Sequence, residues 1–291
     1  MTESSKEASS GGALVRNISD TALWVAVYRA RESERPDALF RDPLARRLAG
    51  ERGEKIASSL QVGGQDNSWP YVARTWRVDQ IIAAQLEQGA DMVVNLAAGL
   101  DARPYRMEIP AGLQWVEVDL PALIDHKEGI LAGETPRCAL ERVRLDLSDV
   151  PARQKLFRDL GARARKAIII TEGLLAYLTR EEVCALGRDL AIQPSFQDWV
   201  IDLASPGLLK MLQKNLAVLS EAGSPLKFGP EEGPGFFTSC GWKPADVYSM
   251  LKTAAQIGRL SFGMRLLSLL PESNGRQGSR PWGGVCRLTR M

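Results

Sequence analysis

Between residues 91 and 203, short apolar runs alternate with segments of helical spacing, and this rhythm constrains the fold more than any other feature of the chain. Met92–Leu96 (MVVNL) and Ala167–Thr171 (AIIIT) are near-continuous apolar runs of strand length, the pattern of strands buried on both faces. Residues 115–118, 143–145 and 199–203 supply three further strands. The spacing predicts helices between them over 124–131, over 151–160 with a proline in the first turn, and over 180–190. Strands separated by helices are joined by right-handed crossovers, so the expected fold is α/β, a mostly parallel, doubly wound sheet covered on both faces. Ligands in such sheets bind beyond the carboxyl ends of the strands.

Helical patterns over 19–31, 43–48 and 71–88 precede the first strand, broken by a Gly/Gln/Asn-rich stretch at 62–68. Residues 13–90 therefore read as a helical cap, and the Ser/Glu/Gly-rich residues 1–12 as a flexible tail. Past Ser205 the rhythm weakens. A helix is expected over 207–219, a loop over 223–235, a helix over 245–257 and a last strand over 284–288. The reading is an α/β domain over 91–291 with a substrate-region insertion at about 205–260.

A formal net charge of +2 argues against nucleic acid as the main partner, which normally requires a concentrated basic face. The densest basic cluster, Arg163, Arg165 and Lys166, reads as a solvated loop before a strand. Cys138, Cys184, Cys240 and Cys286 form no Cys-x-x-Cys pair, which fits reduced thiols in the cytoplasm and no metal site. No apolar run approaches the roughly 20 residues of a membrane span, so a soluble protein without a membrane partner is expected. The pattern carries no information on oligomeric state.

The stretch NLAAGLDARPYR (residues 95–106) sits where a dinucleotide fold would have its glycine-rich turn, but Gly99 is its only glycine. Asp101 stands where the next helix would begin, and a carboxylate there competes with a phosphate for the same amides. A pyrophosphate is poorly received by such a turn. A cationic, phosphate-free nucleoside such as S-adenosyl-L-methionine suits it. Asp119 ends the second strand 20 residues after Gly99, where a carboxylate can accept both ribose hydroxyls. Asp146 follows the third strand, placed for an adenine amine with Leu147 against the ring, and Glu172 follows the fourth. One acid at a strand end is ordinary; three on successive parallel strands converge on one edge of the sheet.

The segments RARESERPDALFRDPLARRL (29–48), VARTWRVDQ (72–80), NLAAGLDARPYR, VEVDLPALIDHK (116–127), LDL (145–147) and EGLLAYL (172–178) together resemble the leucine carboxyl methyltransferase family. The resemblance is to its bacterial O-methyltransferase branch and fades beyond Ser205. It implies a class I, Rossmann-like methyltransferase sheet and S-adenosyl-L-methionine as cofactor. By the family's motifs, Arg74 pairs with the cofactor carboxylate, Gly99 lies under the methionine portion and Asp119, followed by Leu120, meets the ribose. Asp146 and Leu147 contact adenine, Glu172 lies near the methionine end, and Arg31 falls where the family has a basic residue near the cofactor. The chain has Ala97 where the family usually has glycine, and Ala102 where it has threonine.

Methyl transfer from a sulfonium is an in-line displacement that needs alignment and exclusion of water. A carboxylate is already a nucleophile at neutral pH, whereas a hydroxyl benefits from a base. The chain has one histidine, His126, expected on a helix surface. This scarcity of bases favours carboxyl O-methylation, and the compact chain with its resemblance to the bacterial branch favours a small-molecule acceptor. Tyr28 and Tyr177 are acceptor-site candidates, and the catalytic residues are otherwise unassigned. The alternatives are hydroxyl O-methylation of a natural product, a non-catalytic S-adenosyl-L-methionine-binding protein, and a nicotinamide-dependent reductase using Tyr248 and Lys252.

Overall fold

The computed structural model describes residues 20–59, 68–216, 224–272 and 278–291. Among them runs one seven-stranded sheet in the order β3-β2-β1-β4-β5-β7-β6. Strands β1 (Met92–Leu96), β2 (Gln114–Asp119), β3 (Ala139–Arg144), β4 (Ala167–Thr171) and β5 (Phe196–Ala204) are parallel. Strand β7 (Gly283–Arg290) is antiparallel to β5 and to the edge strand β6 (Trp242–Ser249). The mostly parallel α/β sheet expected from the alternation is the one that forms.

Every residue of β1 and β4 is buried, which is why their sequences are apolar but for Asn95 and Thr171 rather than alternating. The period-two strand geometry still sorts side chains between two cores. Val94, Leu96, Val118, Ile169 and Trp199 face one side. Val93, Trp115, Ile168, Ile170 and Val200 face the other, against Val78 and Ile82 of helix α3 (Trp69–Glu87). Helices α1 (Asp20–Ser33) and α2 (Ala45–Ser59) form a third apolar cluster that includes Leu100 and Ala102 of the turn after β1. That packing sets the N-terminal helices against the carboxyl edge of the sheet.

A short helix α4 (Arg103–Arg106) follows the β1 turn, and α5 (Pro121–Ile130), α6 (Val150–Arg163) and α7 (Arg180–Ala191) follow β2, β3 and β4. Proline in the first turn starts α5 and α6, and a reciprocal Thr179/Glu182 capping box starts α7. Helices α8 (Pro206–Asn215), α9 (Met250–Gln256) and α10 (Phe262–Ser268) lie in the C-terminal part. Among the described residues no helix is long and apolar enough to cross a membrane.

Three expectations are corrected. Residues 242–249 form edge strand β6 rather than the start of a helix. Half of this strand is exposed and it carries Pro244, so it lacks an apolar run, and α9 begins only after the Ser249 cap. The third strand lies earlier than 143–145, at the opposite edge, with partly exposed positions. Cys184 and Cys240 are joined by a disulfide (Cα–Cα 5.1 Å), whereas Cys138 and Cys286 are free and buried. A separation of 56 residues leaves no spacing signature of such a pair. The expected tail at 1–12, most of the Gly/Gln/Asn-rich stretch and the end of the 207–219 helix lie outside the described residues.

Candidate functional site

A cavity of about 480 Å³ lies at the carboxyl ends of β1 to β4, within the size range of small-ligand sites. The turn after β1 supplies residues 97–101, the end of β2 Asp119 and Leu120, the segment after β3 residues 145–148, and the turn after β4 residues 172–174. Helix α1 closes one side with Thr21, Ala22, Val25 and Arg29; α3 adds Arg74 and Thr75. Arg74, Ala97, Gly99, Asp119, Leu120, Asp146, Leu147 and Glu172 are thus brought together on one cavity wall or another.

The three other candidates stand elsewhere. Arg31 points away, pairs with Glu54 at 2.9 Å and borders a separate, smaller hollow. Arg29, two residues earlier and so on the opposite side of α1, reaches the cavity, held by Asp42 and the carbonyl of Leu100. Tyr28 is buried and stacks on Tyr71 at 4.9 Å between ring centres. Tyr177 is outside the wall, and burial pushes its phenol up to about 12. His126 is exposed on α5. Tyr248 lies on edge strand β6 under the guanidinium of Arg77 and is not a wall residue.

Backbone amides after β1 and β2 donate to the chain's own carboxylates. Gly99 N–H donates to Asp119 Oδ2 at 2.7 Å, Leu120 N–H to Asp119 Oδ1 at 2.7 Å, and Arg103 N–H to Asp101 Oδ1 at 3.0 Å. Gly99 adopts φ +52°, and a Cβ there would stand 3.3 Å from Ala22 Cβ, so α1 packs directly on the glycine. Ala97 is the only described non-glycine residue with positive φ (+54°). The backbone keeps the left-handed turn that a glycine would adopt freely, and Ala97 bears the strain.

The acids differ in their partners. Asp119 and Asp146 accept from backbone amides, the latter from Ser148, and neither makes an ion pair among the described residues. Burial raises the Asp119 carboxyl, and its two amide bonds only partly offset this. Glu172 meets Arg74 at 3.0 Å and Arg103 at 2.9 Å. Burial alone would raise its carboxyl, but the two guanidinium groups hold it below the usual range.

The leucine carboxyl methyltransferase profile matches residues 22–191, more than half of the chain. The chain belongs to the leucine carboxyl methyltransferase family. A Parafrankia relative, provisionally named an S-adenosyl-L-methionine-dependent methyltransferase, is 34% identical over 256 residues, covering 80% of this chain and 79% of its own. A Streptomyces avermitilis relative with the same provisional name is 33% identical, with 82% and 87% covered. Two crystal structures share the fold. A DUF574 family protein from S. avermitilis has TM-score 0.58 at 12% identity, with 90% of this chain and 96% of its own covered. A protein from Thermobifida fusca, provisionally titled a methyltransferase, has TM-score 0.57 at 17% identity, with 95% and 96% covered.

The sequence marked Asp101 only as a competitor for the amides of the turn, and gave no role to Arg103 and Asp202 in this methyltransferase. Arg103 donates to Asp79 (2.7 Å) and Asp101 (2.8 Å) besides meeting Glu172, and its side chain is 3% exposed. Asn95 donates to Asp101 as well, at 2.9 Å. Asp202 lies two residues before the end of β5, Ala204, so the strand-end rule that found Asp119 and Glu172 did not mark it.

Proposed function

We propose that this methyltransferase takes its methyl group from S-adenosyl-L-methionine and places it on a carboxylate of a small molecule. The observation that carries the cofactor reading is the Gly99–Asp119 arrangement. The Gly99 and Arg103 amides are already given to carboxylates and so are not offered to a phosphate, while Asp119 and Asp146 keep acceptor lone pairs without a cationic partner among the described residues. That donor and acceptor set fits a cationic nucleoside and disfavours a phosphate-bearing one. Asp119 holds the ribose hydroxyls, Asp146 and Leu147 the adenine, and Arg74 the amino-acid carboxylate, with Glu172 beside it. Thr75, whose buried hydroxyl has no partner among the described residues, faces the same cavity.

The bound group supplies an electrophilic methyl on a positively charged sulfur. The chain's part is to hold the acceptor oxygen in line and to exclude water. Neither histidine, lysine nor tyrosine is among the described wall residues, and the nearby Tyr177 phenol is a poor base at neutral pH. An acceptor that arrives ionised needs no base, which supports a carboxylate. The N-terminal helices and residues at about 205–260 are assigned to acceptor recognition in this reading.

One observation favours a hydroxyl acceptor instead. Each arginine on the wall already has a carboxylate partner: Arg29 with Asp42, Arg74 with Glu172, Arg103 with Asp101 and Arg153 with Asp189. Calorimetry with S-adenosylhomocysteine tests the cofactor; binding is expected, and preferential binding of nicotinamide dinucleotides would overturn the reading. Mass spectrometry with methyl-labelled cofactor and paired aromatic acids and phenols tests the acceptor. Label on the acids is expected, and label on the phenols alone would replace the carboxylate by the hydroxyl reading.

A further inference from the structure

We propose that Asp202 is the positioning residue for the amino-acid end of S-adenosyl-L-methionine, an inference that rests on the cofactor reading above. Asp202 is not part of the cavity wall, yet its carboxylate fastens two wall elements to each other. Its Oδ2 accepts from Arg74 Nη1 at 2.8 Å, and its Oδ1 accepts from the Gly173 N–H at 2.7 Å. One side chain from near the end of β5 thereby ties α3 to the turn after β4.

The bond to Arg74 matters because of how the guanidinium is divided. Arg74 Nε donates to Glu172 at 3.0 Å and Nη1 to Asp202, so the two anchors take adjacent edges of the planar group and leave the Nη2 donors available. A fork fixed on two sides presents its remaining N–H groups in one direction, the arrangement that a ligand carboxylate reads. The Arg74 guanidinium also lies 5.7 Å over the Tyr71 ring, which limits its tilt.

The bond to Gly173 fixes the opposite boundary. Gly173 has φ +73°, and a Cβ at that position would stand 3.5 Å from Arg74 Nη1. The glycine backbone and the guanidinium are therefore in close approach, and Asp202 is the group that bonds both. Removing its charge frees Arg74 to swing and leaves the Gly173 turn unanchored beside Glu172. The loss falls on whatever Arg74 holds, and spares the ribose and adenine contacts on β2 and β3.

Calorimetry on the full chain separates this role from a general structural one. S-adenosylhomocysteine carries the amino-acid end; 5′-methylthioadenosine has the same nucleoside and sulfur without it. Asp202→Asn is expected to weaken S-adenosylhomocysteine about tenfold, as the loss of a charge-assisted bond, and to leave 5′-methylthioadenosine within about twofold. In an Arg74→Ala background, Asp202→Asn is expected to add nothing further. Equal losses for both ligands, no loss for the homocysteine, or additive losses with Arg74→Ala would each overturn the assignment. If Asp202→Asn does not fold, Asp202→Ser carries the same comparison. Wild-type protein that binds neither ligand removes the cofactor reading itself, and this inference with it.

Discussion

Gly99 donates its backbone N–H to the carboxylate of Asp119 at 2.7 Å, joining the turn after β1 to the end of β2 across 20 residues of chain. Asp119→Ala is expected to weaken S-adenosylhomocysteine by about tenfold or more, since hydrogen bonds to a charged group are the stronger kind. Burial raises this carboxyl above its ordinary 3.8, so it takes up a proton at higher pH than a free aspartate. Affinity should therefore fall on acidification before ordinary carboxylates titrate, and Asp119→Asn should flatten that profile. An Asp119→Asn protein with the wild-type pH profile would show that another group titrates. For folding the sign is reversed: ionisation of Asp119 lowers stability as pH rises from 3.8 through the raised folded value.

Ala97 occupies a left-handed conformation at φ +54°. A non-glycine residue there costs about 1–2 kcal/mol, of which the greater freedom of unfolded glycine returns about 0.5–1 kcal/mol. Ala97→Gly is expected to be neutral or stabilising by up to roughly 1.5 kcal/mol, a Tm rise of a few °C. Differential scanning calorimetry checks this. A fall of the size seen for Ala→Gly in an ordinary helix would contradict the turn geometry.

Arg103 sits among Asp79, Asp101 and Glu172 with its side chain 3% exposed. Arg103→Met leaves three carboxylates facing one another and is expected to cost roughly 3–5 kcal/mol. By contrast, Lys155→Ala, which breaks an exposed (i,i+4) pair with Asp159, should change stability by less than about 0.5 kcal/mol. Burial pushes the Asp101 and Glu172 carboxyls up, but both are held below their ordinary values, chiefly by the positive charge of Arg103. Their stabilising contribution is complete above the ordinary values of 3.8 and 4.5 and drains away as pH falls through the lowered ones. The gap between wild type and Arg103→Met in urea denaturation should narrow accordingly in acid.

The Cys184–Cys240 bond joins α7, whose Glu182, Ala185 and Leu186 line the cavity, to the 3-10 helix Gly233–Cys240. Thiol titration in denaturant without reductant should find Cys138 and Cys286 and leave the other pair silent until reduction. Replacing the pair by alanine should cost about 4 kcal/mol on the loop-entropy scale for 56 residues. Thiol reagent reacting at all four cysteines of the unreduced, denatured chain would refute the pairing.

The sequence exposed the centre of the fold better than its edges. Met92–Leu96 and Ala167–Thr171 were readable to the residue because burial on both faces favours a near-continuous apolar run. Edge strands β3 and β6 face solvent on more of their length, so charges and Pro244 interrupt the pattern that would mark them. The acids at strand ends were legible because a parallel sheet places them on one rim. Arg29 and Arg31 were not separable, because only the rotation of α1 decides which of two nearby arginines faces the cavity. Arg103 and Asp202 act through partners distant in sequence, and no local spacing announces such contacts.

A turn whose amides are already engaged by neighbouring acids carries a built-in bias against the commonest nucleotides of the cell. ATP and the pyridine dinucleotides share adenosine with the sulfonium ligand, yet each would bring negative charge to a rim where Asp119 and Asp101 already hold the Gly99 and Arg103 amides. The charge on the rim thus sorts nucleosides that share an adenine by what each carries at its far end.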